Sequence, residues 1–194
     1  MCKTRISLTK MLNTTTSLLS LLIILFSGLP GVGKTRLAHE LAPLINGVVL
    51  STDKIRKEVI VSRPTYTKEE KKLIYDVMLL VAKYLHNSCI GVNCILDATF
   101  NTKESRRHAR QKFADIAAEQ ICIVECICPE DIVISRLKAR RGDYSDADIE
   151  IYRKMKQVYE PVKEKYRHIV ADTSQDPRVN AEEIKNRIFA EVQK

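Results

Sequence analysis

Eight consecutive residues restrict this chain more than any other feature. Gly28-Leu29-Pro30-Gly31-Val32-Gly33-Lys34-Thr35 fits G-x-x-x-x-G-K-[ST] at every fixed position. An apolar run from Leu21 to Phe26 leads into it, and a helical pattern from Arg36 to Ala42 leads out. Strand, glycine loop and helix, in that order, are the setting that phosphate binding requires. Glycines at 28, 31 and 33 let the backbone turn tightly and bring N–H groups up to phosphate oxygens. The helix that follows adds its positive dipole end. Lys34 is then placed to reach the β- and γ-phosphates, and the Thr35 hydroxyl to hold Mg²⁺. A Gly-Pro turn before an ordinary helix is the competing reading, but Lys-Thr at that point caps nothing.

At 194 residues the default is one domain. We place it at residues 18–194, after a poorly ordered Ser/Thr-rich tail at 1–17. Apolar residues make up 45% and charged residues 29% of the chain, as in a soluble globular protein. The net charge of +8 suits an anionic ligand, whether nucleotide, phosphorylated compound or polynucleotide, without choosing among them. Six cysteines form no Cys-x-x-Cys pair and read as buried, reduced thiols of a cytoplasmic protein. Lys3, Arg5 and Lys10 ahead of Leu18–Phe26 imitate a membrane anchor, but the run falls short of the ~20 apolar residues a spanning helix needs. No membrane association is expected.

Beyond the glycine loop, apolar strands alternate with helices. Strands are expected at Val48–Leu50, Val92–Leu96, Ile121–Ile127 and His168–Ala171. Helices are expected at 67–88, opened by a Thr67/Glu70 capping box, and at 103–119, 129–141, 146–160 and 180–193. Five such strands imply a parallel sheet covered on both faces, with ligands bound at the carboxyl ends of the strands. Val61–Thr65 is the expected flexible joint.

Three groups carry candidate chemistry. Asp53 stands where the second strand gives way to a helix, and can act as a general base or complement the helix dipole. Asp97 ends the strand Cys94-Ile95-Leu96 and can hold Mg²⁺. Arg136 and Arg140, four apart, share a helix face and can close as a lid over phosphates, at about 136–150. Arg106, Arg107 and Arg110 form a second basic face, either solvated or substrate-binding.

The segments GLPGVGKT, STDKIRKEV, CILDATFN and RLKARRGDYSDAD together resemble a family of small P-loop kinases. That family includes AAA-type, zeta toxin-like kinases and the kinase domain of polynucleotide 5′-hydroxyl kinases. The resemblance implies a three-layer α/β/α P-loop NTPase fold with sheet order 2-3-1-4-5 and a helical lid. It implies ATP with Mg²⁺ as cofactors and a kinase acting on a hydroxyl acceptor, either a small molecule or a polynucleotide 5′ end. On its pattern, Lys34, Asp53, Arg136 and Arg140 are catalytic. Gly28, Leu29, Pro30, Gly31, Val32, Gly33, Lys34, Thr35 and Arg36, with Asp172 and Thr173, surround the nucleotide. Asp53, Arg56, Asp97 and Thr99 meet the acceptor, and Thr35 and Asp97 the metal. An ATPase module acting on a protein partner is the alternative activity.

Overall fold

The computed structural model describes residues 21–60, 64–88, 90–139, 148–165 and 167–190. Its centre is a five-stranded, all-parallel sheet built from β1 (Ile23–Ser27), β2 (Gly47–Ser51), β3 (Asn93–Asp97), β4 (Ile121–Ile127) and β5 (Arg167–Asp172). The strand order is β2-β3-β1-β4-β5, the order expected from the sequence. The central strands β3, β1 and β4 are largely apolar and buried because helices cover both faces. On one face Ile24, Phe26, Val124 and Cys126 pack with Leu37 and Leu41 of α1 (Lys34–Leu44), and with Ile184 and Ile188 of α7 (Pro177–Ala190). On the other, Ile23, Leu25, Leu96 and Ile123 pack with Met78 of α3 (Lys68–Asn87) and Ala109 of α4 (Lys103–Lys112). Three further helices, α2 (Thr52–Val59), α5 (Glu130–Ala139) and α6 (Ile149–Gln157), lie toward the carboxyl ends of the strands.

Register brings the functional strand ends level. Phe26 and Ser51 both pair with Asp97, Ser27 pairs with Glu125, and Ile127 pairs with Asp172. Whatever follows each strand therefore opens on the same crevice, as a parallel sheet requires. Among the described residues no helix is long and apolar enough to cross a membrane, and Leu22 to Phe26 lie buried in the sheet.

Four expectations are corrected. The helix expected over 103–119 stops at Lys112: the Phe113 amide is shared among Ala109 O, Arg110 O and Gln111 O, and the chain turns so that Phe113 and Ile116 are both buried. The basic face of that helix does not exist as a unit. Arg106 is 1% exposed and pairs two-pronged with Glu164 at 3.0 and 3.2 Å. It also donates to the carbonyls of Phe100 (3.0 Å), Glu160 (2.9 Å) and Pro161 (3.4 Å). Arg110 caps its own helix end at Phe113 O and Ile116 O, leaving only Arg107 exposed. At the start of α3 only half of the capping box forms: Thr67 Oγ1 accepts from the Glu70 amide at 3.2 Å, while the Glu70 carboxylate reaches back to Thr65 and Tyr66. The last helix begins at Pro177, not at 180, because Pro suits a first helical turn and Asp176 Oδ1 accepts from the Arg178 amide. Of the expected joint, 61–63 lie outside the described residues.

Candidate active site

The glycine loop leaves β1 with three left-handed glycines: Gly28 at φ 143°, Gly31 at 79° and Gly33 at 103°. Space demands two of them outright. A Cβ on Gly28 would sit 2.6 Å from the Cys126 carbonyl, and one on Gly31 would meet Leu137 at 2.9 Å. The loop is thus pressed onto β4 and α5. Lys34, buried, folds back over it and donates to Gly28 O (2.9 Å) and Leu29 O (2.8 Å). The ammonium is held above the concavity where a β- or γ-phosphate would lie.

Arg136, three residues from the end of α5, is fastened to the same loop. It donates to Val32 O at 3.1 Å and to Thr173 O at 2.7 Å, and Thr173 Oγ1 donates to Val32 O as well. The β4–α5 and β5–α7 connections are thereby clamped around the loop. Arg140 and the greater part of the expected lid lie outside the described residues.

Two acids face the loop. Thr35 Oγ1 donates to Asp97 Oδ2 at 2.8 Å, joining the start of α1 to the end of β3. Asp97 is 5% exposed, and burial raises its carboxyl above the usual range against the pull of Lys34 and the Thr35 hydroxyl. A hydroxyl and a carboxylate, both hard oxygen donors, side by side below a phosphate concavity fit Mg²⁺, which takes one or two protein oxygens and completes its shell with phosphate and water. Among the described residues no group of three or more His, Cys, Asp or Glu is placed to hold a metal ion by itself.

Asp53 stands in the first turn of α2, across the crevice, with a side chain 37% exposed. Its Oδ1 accepts from Arg56 Nη1 at 3.1 Å. Arg56 is buried, and its guanidinium lies 4.9 Å from the centre of the Tyr66 ring. Thr99 Oγ1 shares a hydrogen bond with the Tyr75 hydroxyl at 3.1 Å, while the Thr99 carbonyl accepts from the Gly28 amide at 2.9 Å.

These parts line one cavity of about 1200 Å³. Pro30, Gly31, Gly33, Lys34, Thr35, Arg36, Asp53, Arg56, Asp97, Thr99, Arg136 and Thr173 all border it. Val32 keeps its side chain in the core, and Gly28 and Leu29 contribute backbone carbonyls to Lys34. The Asp172 carboxylate turns onto Ser174, accepting from its amide (2.9 Å) and hydroxyl (2.7 Å). Six basic side chains against three acidic ones border the cavity, a balance that attracts polyphosphate.

Sequence reasoning did not find Tyr75, Tyr66, Lys71 or Asn101 on the wall, nor Ile151, Met155 and Val158 opposite. Tyr75 lay inside an apolar helical pattern and gave no separate signal. Cys94, Cys122 and Cys126 are buried as expected, Cys128 is half-buried, and Cys2 and Cys89 lie outside the described residues; burial pushes the Cys126 thiol up to about 12.

Residues 23–162 match the family model described as AAA domain. The chain belongs to that AAA domain family. An uncharacterized protein of Mycobacterium tuberculosis is 34% identical to it over 142 residues, which cover 66% of this chain and 28% of that protein. A probable 6-phosphofructo-2-kinase of Schizosaccharomyces pombe is 27% identical over 173 residues, covering 74% of this chain and 29% of the relative. The AAA domain chain thus spans less than a third of the length of these curated relatives. Among solved structures, the Mycobacterium tuberculosis APS kinase in complex with AMPPNP and APS superposes with a TM-score of 0.66 at 20% identity, over 88% of this chain and 98% of that one. That likeness establishes the shared P-loop kinase fold.

Proposed function

We propose that this AAA domain chain is an ATP-dependent kinase that transfers the γ-phosphoryl group to a hydroxyl of a small molecule. The observation that carries this reading is the Thr35–Asp97 contact beneath the Lys34-covered glycine loop, with Asp53 facing it across one cavity. Phosphoryl transfer needs little covalent chemistry from a protein; it needs positioning and neutralised charge. The loop amides and Lys34 hold the β/γ end of ATP. Thr35 and Asp97 would hold Mg²⁺, whose chemistry here is to neutralise charge on the phosphate oxygens. Asp53 accepts the proton of the attacking hydroxyl. Arg136 keeps the loop in its binding shape. Thr173 and the turn after Asp172 border the base, while Arg56 and Thr99 border the acceptor.

The relatives agree in class. The S. pombe protein is named a probable 6-phosphofructo-2-kinase, and the solved APS kinase holds AMPPNP and APS. A polynucleotide 5′-hydroxyl end, the acceptor that the resemblance to polynucleotide kinases implies, is the second acceptor class. The buried thiols of Cys94 and Cys126 support a cytoplasmic setting.

Labelled γ-phosphate offered to a pool of small hydroxylated metabolites, and separately to 5′-hydroxyl oligonucleotides, tests this. Label is expected in a small molecule. Stoichiometric ADP with no phosphorylated acceptor in either pool would instead favour an ATPase acting on a protein partner.

A further inference from the structure

Glu70 has no place in the mechanism above, yet it makes more polar contacts than the acids that do. It opens α3 and its side chain is only 8% exposed. Oε2 accepts from the Thr65 amide (2.7 Å), the Thr65 hydroxyl (2.7 Å) and the Tyr66 amide (3.2 Å). Oε1 accepts from Arg56 Nε at 3.1 Å. Arg56 in turn spends Nη1 on Asp53 and lays its plane against Tyr66. Tyr66 itself sits at φ 56°, a left-handed position that its neighbours must hold in place. The order of contact is therefore loop 65–66, Glu70, Arg56, Asp53.

We propose that Glu70 is a positioning residue for phosphoryl transfer: by fixing Arg56 along its Nε edge, it sets the direction of the Asp53 carboxylate and ties that carboxylate to the Thr65–Tyr66 wall of the acceptor cavity. A guanidinium is a rigid planar fork. With Nε held by Glu70, Nη1 can approach Asp53 from one side only. Without that hold, Arg56 rotates toward Asp53 and the carboxylate loses its fixed orientation. The Thr65 hydroxyl and amide hold the Glu70 carboxyl below the usual range, in keeping with an anion that stays charged while its neighbours work. The assignment rests on the kinase reading of Asp53.

The test uses the full chain with MgATP and water as the acceptor, so no unidentified substrate is needed. Hydrolysis and MgATP affinity are measured for the wild type, Glu70→Gln, Asp53→Asn and the double variant. Gln keeps the size of Glu but presents an N–H₂ where donors already point. Glu70→Gln is expected to lower turnover about 10–100-fold with MgATP affinity unchanged, since an ångström of misplacement carries that cost. It is expected to have no further effect once Asp53 is Asn. Should Glu70→Gln not fold, Thr65→Val, which removes one donor to Oε2, carries the same test with a smaller fall. Wild-type turnover in Glu70→Gln, or an equal fall in the Asp53→Asn background, overturns the role of Glu70. A folded wild type that neither binds nor hydrolyses MgATP overturns the kinase reading itself.

Discussion

Asp53→Asn is expected to slow phosphoryl transfer about 10²–10⁴-fold while MgATP still binds, the loss typical of a removed general base. The expectation follows from where the residue stands. Asp53 is on α2, outside the glycine loop, and accepts a hydrogen bond from Arg56. Nothing it touches holds phosphate, so affinity for nucleotide should survive. Asn keeps the shape and still accepts from Arg56, but it takes no proton. The competing role, an acid complementing the first turn of a helix, is worth about 0.3–1 kcal/mol of stability and nothing in turnover. The two roles therefore differ by orders of magnitude in one kinetic measurement, with titration calorimetry to show that MgATP is still bound. Unaltered turnover would leave Asp53 as a helix-end charge.

Arg106→Ala should cost about 3–5 kcal/mol of folding stability, the range for breaking a buried ion pair by removing one partner. Four groups lose their donor together: the Glu164 carboxylate and the carbonyls of Phe100, Glu160 and Pro161. The buried Phe100 carbonyl is left with the Ser27 hydroxyl alone, and the part-buried Glu164 carboxylate and carbonyls of 160 and 161 lose a charged donor, which is the expensive half of any hydrogen bond. In a domain of this size the melting temperature should fall by roughly 10 °C. Glu164→Ala should cost clearly less, because Arg106 keeps its three carbonyls and the Glu164 side chain is already 13% exposed. Thermal melts of the two variants decide the point; equal small losses would mean that Arg106 does not fasten the segment at 160–164 to the core. The effect reaches the cavity. Phe100, held by Arg106 and by Ser27 Oγ at 3.0 Å, adjoins Thr99 and Asn101 on its wall.

The sheet was legible because each of its strands is a short apolar run bounded by turn residues, and because a sheet covered on both faces leaves no alternation to misread. The same property placed the chemistry: Gly28, Asp53 and Asp97 each follow or end a strand, so one crevice had to receive them. Helix ends were harder. Asp176-Pro177 carries the local signal for a helix start, three residues ahead of the expected one at 180. Glu70 fitted the capping-box spacing to Thr67, but its carboxylate found better donors in Thr65, Tyr66 and Arg56, which lie off the helix. Arg106 read as a surface charge because nothing in its own helix names Glu164 or the carbonyls of 160–161 as partners. Arg136 was read for its charge, whereas its contacts with Val32 O and Thr173 O join segments more than thirty residues apart. Such long-range side-chain bonds leave no trace in local spacing, and they are what shape this site.

The most direct measurement is titration of the purified, folded chain with nucleoside triphosphates in the presence and absence of magnesium. One site per chain is expected for MgATP, with a dissociation constant between about 1 μM and 1 mM, where such enzymes work. The heat should vanish in Lys34→Met, which keeps the fold but removes the ammonium now held at 2.9 Å by Gly28 O. A wild-type chain that melts cooperatively yet takes up no nucleoside triphosphate under any of these conditions would contradict the account.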